Sequence, residues 1–181
     1  MGRQDTDARP AHRRHRPPAA GSVHLHLIRD GRDTALSFRP LLFAPAQDFA
    51  GLAAHWQHII CTARSQTQEC PHYREVRYEN LIREPERELT ALCKYLGLPF
   101  DSAMLKYHER AVERLREHRD RTSADGTLIA THETRRRTYA LTSRPPDAAR
   151  IGVWRSQMPA EAQGEFLPVA GDLLRELGYA D

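Results

Sequence analysis

Cysteine is scarce in this 181-residue chain: Cys61, Cys70 and Cys93 form an odd set with no CxxC spacing. Neither a disulfide framework nor a zinc knuckle is encoded, and reduced thiols in the cytoplasm are the simplest reading. Apolar runs are short as well. The chain nowhere approaches the ~18 consecutive apolar residues of a membrane helix, and its mean hydropathy is -0.67. No helical membrane span is expected. An excess of one charge is also missing from most of the chain. Residues 1–21 hold five arginines against two aspartates, and the rest carry 22 basic and 22 acidic side chains, so the net charge of +3 belongs to the tail. A neutral body argues against nucleic acid as a partner, because a phosphate-tracking surface needs clustered positive charge. No metal site is expected either, since His108, His118 and His132 have no second ligand at useful spacing.

What remains, 40% apolar residues, suffices for one core, and the length fits one domain or the larger part of one. The tail, residues 1–21, contains Pro10, Pro17 and Pro18 and no apolar run, so it reads as irregular or disordered. In 22–28, Val23, Leu25 and Leu27 alternate with His24 and His26 before Ile28, the period of a strand. Arg29 to Asp33 is a turn in which Gly31 is free to take positive φ. Asp33 is placed to cap a short helix through Ser37, which Pro40 stops.

Phe49, Leu52, Ala53, Trp56, Ile59, Ile60 and Ala63 recur at three and four residues and predict an amphipathic helix over 48–65, capped by Asp48. Tyr73 to Tyr78 reads as a second strand. It leads into a helix with Pro85 at its first position and Leu89, Leu92, Cys93 and Leu96 on its buried face. Gly97 and Pro99 end that helix. Another follows Asp101 with Met104, Leu105, His108, Val112 and Leu115 on one side. Residues 119–149 show no sustained period, include Arg135-Arg136-Arg137 and Pro145-Pro146, and read as a long loop. The last helix starts at Pro159 with Phe166, Val169, Ala170, Leu173, Leu174 and Leu177 as its stripe, Pro168 as a kink and Gly178 as its stop. Strands alternating with helices predict an α/β layer fold with parallel pairing.

The first candidate site is the turn after the first strand. Arg29, Arg32 and the Ser37 hydroxyl would converge there with the free N–H groups of a helix start to bind an anion. The alternative is that Arg29 and Arg32 only pair with Asp30 and Asp33 at the sheet edge.

IRDGRDTALS (28–37) resembles the 3′-phosphate segment of sulfotransferases that use 3′-phosphoadenosine 5′-phosphosulfate (PAPS), in which an Arg closes a strand and a Ser follows eight positions on. The resemblance implies that Arg29 and Ser37 hold the 3′-phosphate, with Arg32 as the second basic residue. VRYENLIREPERELTALCKYLGLPFDSAML (76–105) is similar to the next family block, whose tyrosine, here Tyr78, contacts the adenine. IGVWRSQMPAEAQGEFLPVAGDLLRELGY (151–179) resembles the closing segment of the bacterial and tyrosylprotein branches. It implies that Arg150 and Gly152 close over the nucleotide and that Trp154 and Arg155 are the family's Trp-Arg pair, with Trp154 packing.

The resemblance spans roughly residues 22–179 and implies a partial three-layer, P-loop-type fold with a short parallel sheet flanked by helices. Residues 22–181 would be the C-terminal portion of the family domain. The glycine-rich 5′-phosphosulfate loop and the catalytic base of the family have no counterpart in the sequence, and Asp5, Asp7, His12 and His15 carry no base motif, so no catalytic residue is assigned. The implied activity is transfer of a sulfuryl group from PAPS, without a metal, to an acceptor hydroxyl or amine. A truncated, non-catalytic nucleotide-binding remnant is the alternative. Acceptor pockets in the family come from variable loops, here around 39–48 and 119–149, and an incomplete core would leave a sheet edge open.

Overall fold

The structure, a computed structural model, describes residues 23–41, 43–68, 70–117 and 119–179. The basic tail lies outside the described residues. Strand β1 (His24–Ile28) runs into helix α1 (Gly31–Phe38) and then α2 (Phe49–Gln66), and β2 (Tyr73–Arg77) returns parallel to β1. The register pairs His24 with Tyr73 and Ile28 with Arg77. Helices α3 (Tyr78–Arg83) and α4 (Pro85–Leu96) follow directly, and Gly97 closes α4 in the left-handed region at φ 68°. A short 3-10 turn (Ser102–Lys106) leads to α5 (Tyr107–Arg116). After it come a small antiparallel pair, β3 (Arg121–Thr122) and β4 (Leu128–Ala130), then α6 (His132–Tyr139). Helix α7 (Trp154–Gln157) and the long α8 (Ala160–Glu176) complete the chain.

Side chains of directly paired residues in a parallel ladder share a face, so His24, His26, Ile28, Tyr73, Glu75 and Arg77 lie on one side of the sheet. That side carries the main core. Ile28 is buried there with Phe49, Leu52, Ala53, Trp56 and Ile60 of α2 and Phe166, Ala170, Leu173 and Leu174 of α8. Asp48 caps α2 by accepting the Gly51 N–H at 2.7 Å. The opposite face carries Leu25, Leu27, Arg74 and Val76. Val76 is buried, and Arg74 beside it reaches α4, donating to the Ala91 carbonyl at 3.4 Å with its guanidinium over the Tyr95 ring. Helices thus flank the short parallel sheet on both faces.

Three expectations need correction, and one point the sequence left open is settled: the apolar residues that announce β1 are its exposed ones, Val23 and Leu25 at 43% and Leu27 at 53%. The histidine face packs against α2, while α4 reaches β2 and leaves the outer face of β1 open. Gly31 does not use positive φ. It is the first residue of α1, where a Cβ would stand 2.7 Å from the Trp56 ring and 2.9 Å from Phe166. Asp30, not Asp33, caps α1, its carboxylate accepting the Arg32 N–H at 2.9 Å. Residues 119–149 are not one loop, since they contain the β3–β4 pair and α6, which Thr131 caps. Two smaller differences remain. The second strand ends at Arg77, so Tyr78 opens α3. Helix α8 is unbroken at Pro168. Pro168 and Gly164 are both exposed, so the carbonyl that loses its N–H partner there faces water.

Candidate functional site

The C-terminal ends of β1 and β2 deliver Arg29 and Tyr78 to one edge, the edge at which open α/β sheets take ligands. The Arg29 guanidinium lies 4.7 Å from the Tyr78 ring centroid. One of its Nη2 hydrogens goes to the Arg150 carbonyl at 2.7 Å, and the same nitrogen stands 3.6 Å from the Asp33 carboxylate. Its backbone is fixed as well, because the Trp56 indole N–H donates to the Arg29 carbonyl at 3.1 Å. The Arg29 Nε is buried and meets no acceptor among the described residues. A buried donor left unpaired is costly, which makes this edge the candidate place for an acceptor group.

Arg32 goes the other way. It is 1% exposed, and its guanidinium pairs with Asp30 at 2.9 Å and donates to the Tyr179 carbonyl at 2.8 Å. The Trp154 ring lies 3.5 Å beneath it. Glu79 completes this buried group, accepting the Asp30 N–H at 3.0 Å and the Tyr179 hydroxyl at 2.9 Å. Burial first, then the Glu79 carboxylate, push the Tyr179 hydroxyl far above the ordinary tyrosine range. The second arginine of the turn therefore faces the core and not an anion. Its burial is explained by the carboxylate and carbonyl it satisfies there.

Asp33 joins the two halves of the chain. Its carboxylate, fully buried, accepts the Gly152 N–H at 2.7 Å and the Trp154 N–H at 2.9 Å. This contact brings the 150–154 segment over the end of β1, as the sequence predicts, and it also occupies the Gly152 amide expected to meet a nucleotide. Gly152 itself holds φ 73°. Ser37 is not part of this cluster. It is exposed in the last turn of α1, six residues from the helix start and so ~9 Å along the axis. The structure thus brings together Arg29, Tyr78, Arg150 and Gly152. It leaves Ser37 at the far end of α1 and places Arg32 in the core. Asp33, Trp56, Glu79 and Tyr179 are the site-building residues that sequence reasoning missed. Local pattern offered only a cap signal for Asp33 and nothing for the others.

Among the remaining candidates, Asp5, Asp7, His12, His15 and His118 lie outside the described residues. His132 sits in a surface ion pair with Asp120 at 2.9 Å. Cys61, Cys70 and Cys93 form no disulfide among the described residues. Among the described residues no helix is long and apolar enough to cross a membrane, and no group of three or more His, Cys, Asp or Glu could hold a metal ion.

Residues 21–102 match the model of the sulfotransferase family. The fold is similar to that of the solved "Sulfotransferase Domain from the Curacin Biosynthetic Pathway", with a TM-score of 0.55 and 19% identity. The match covers 85% of this chain and 54% of that one, so this chain spans about half the length of the solved domain. No curated protein matches the sequence. The chain is thus similar to the sulfotransferase family over residues 21–102, and its mixed α/β fold, with a short parallel sheet flanked by helices, is similar to a sulfotransferase domain.

Proposed function

We propose that the chain is a PAPS-dependent sulfotransferase that moves a sulfuryl group to an acceptor hydroxyl or amine. One observation carries this reading: Arg29 and Tyr78, from different strands, meet at the C-terminal sheet edge with the Arg150 segment beside them. A nucleotide 3′-phosphate suits the planar fork of an arginine, and an adenine suits an aromatic face. The unpaired Arg29 Nε supports the fit, since a phosphate oxygen would satisfy it.

In this reading Arg29 is the main 3′-phosphate ligand, and Ser37, at the far end of α1, is left out of the ligand set. Tyr78 borders the adenine, and the Arg150 guanidinium adds charge while its carbonyl orients Arg29. Gly152 serves through its turn, tied to Asp33, and Arg32 is omitted from the ligand set. PAPS would bring the activated sulfuryl group. The residues named here bind and orient its nucleotide, which is the positioning part of such catalysis. A reducing cytoplasm suits three cysteines that form no disulfide among the described residues.

Calorimetric titration with adenosine 3′,5′-bisphosphate tests the reading. The parent binds, and Arg29→Ala loses about 1.5–3 kcal/mol, the worth of a charge-assisted contact. Equal binding by Arg29→Ala, or none by the parent, would remove this assignment.

A further inference from the structure

We infer that the chain holds a second oxyanion site, separate from the Arg29–Tyr78 edge and independent of the sulfotransferase reading. It is a cavity of about 250 Å³ between the end of β2, α3, the turn before α7 and the turn after α8. Arg77, Arg83 and Arg155 line it, together with the Asn80 side chain. Two carboxylates share the wall, Asp30 and Glu79. Both are already committed. Asp30 is held by Arg32, and the two Glu79 oxygens take the Asp30 N–H and the Tyr179 hydroxyl. No ion pair joins Arg77, Arg83 or Arg155 to a carboxylate among the described residues.

Two of these guanidiniums lie beside glycine backbone: an added Cβ would stand 2.7 Å from Arg155 Nη1 at Gly152 and in ordinary contact with Arg77 Nη2, at 3.7 Å, at Gly178. Each cation is also steadied by a ring, Arg155 at 4.6 Å over Trp154 and Arg77 at 4.9 Å over Tyr179. Arg77 gives one hydrogen to the Leu177 carbonyl. A guanidinium carries five N–H donors, and among the described residues no carboxylate takes those of Arg77, Arg83 or Arg155. Convergent forks around a small volume fit a tetrahedral dianion better than a planar monoanion. The ligand class is therefore phosphate or sulfate, free or as the terminal group of a monoester.

The position sets this site apart. Arg77 lies on the α2 and α8 face of the sheet, in register with Ile28, whereas Tyr78 turns to Arg29. Isothermal titration of the full chain with inorganic phosphate at low salt tests the proposal, with phenyl phosphate run beside it to separate an esterified group from the free ion. The titration is run on Arg29→Ala, which removes the phosphate ligand of the nucleotide edge, and this chain binds at one saturable site. Adding Arg83→Gln/Arg155→Gln to it weakens that binding at least about tenfold. Both substituted arginines are exposed, and an unchanged far-UV spectrum and melting point confirm that the fold is kept. No saturable binding by Arg29→Ala, or equal binding after the Arg83→Gln/Arg155→Gln substitutions are added to it, would each overturn the proposal. The adenosine 3′,5′-bisphosphate titration is read separately, so failure here leaves the Arg29 assignment standing.

Discussion

Asp33 does more for the candidate site than any other single side chain, because it ties the strand that carries Arg29 to the segment that carries Arg150. Its two oxygens each accept a buried N–H, from Gly152 and Trp154. Asn can accept at one of these positions but would present an N–H to the other. Asp33→Asn should lower stability by about 1–3 kcal/mol, the cost of one unpaired buried donor. A urea unfolding curve should show a lower midpoint with an unchanged slope. A midpoint equal to the parent's would show that the tie carries no energy. The local sequence shows an aspartate near a helix start, which cap chemistry reads correctly in kind. It cannot show which of Asp30 and Asp33 does the capping, because the choice is made by partners more than a hundred residues away. Arg32 is misread for the same reason. Its spacing after Arg29 suits a phosphate, but Asp30, Trp154 and the Tyr179 carbonyl draw it into the core.

At the scale of the element, β1 is legible as a strand, but which of its sides is covered is not. Period-two alternation shows that residues share a face but not what packs on it, and the two outer leucines remain open because α4 covers β2 instead. Leu27→Ser should therefore shift stability by no more than about 0.5 kcal/mol, whereas Ile28→Ala should cost about 2–5 kcal/mol. Comparable losses for the two in thermal unfolding would mean that the outer face is packed after all. The inner face predicts a pH response. His26 contacts the Tyr73 hydroxyl at 2.8 Å, Tyr73 donates to Glu75 at 3.0 Å, and Arg64 grips Glu75 at 2.6 Å and 2.9 Å. Burial holds His26 below its ordinary value of 6.5. The unfolded chain thus takes this proton first, and stability falls as pH drops below 6.5 until folded His26 also protonates. Arg64 holds Glu75 below 4.5, so a further loss begins below that pH as the unfolded chain protonates Glu75 first. His26→Gln should flatten part of the upper limb, since His55 shares it for the same reason of burial. It should leave the acid limb in place, and an unchanged profile of melting point against pH would contradict this account.

For the molecule as a whole, the order strand, helix, strand, helix is legible because two short alternating runs are separated by a clear 3.6-residue stripe. The terminal stripe on α8 is legible for the same reason. The content of 119–149 is not. Helix α6 reads HETRRRTY and has no apolar face to announce it. It is held by the Thr131 cap, by an Arg137–Glu133 pair at 2.7 Å and by Arg136 donating to the Leu115 and Arg116 carbonyls. Such polar ties leave no periodic trace. The meeting of Arg29 and Tyr78 at one sheet edge is readable in outline, because each follows a strand and parallel strands end on the same side. The most direct test of this arrangement is a crystal structure of the chain with adenosine 3′,5′-bisphosphate. The account predicts the 3′-phosphate within hydrogen-bonding distance of the Arg29 guanidinium and the adenine beside Tyr78. A nucleotide seated elsewhere, for example with its phosphates among Arg77, Arg83 and Arg155 and none at Arg29, would contradict it.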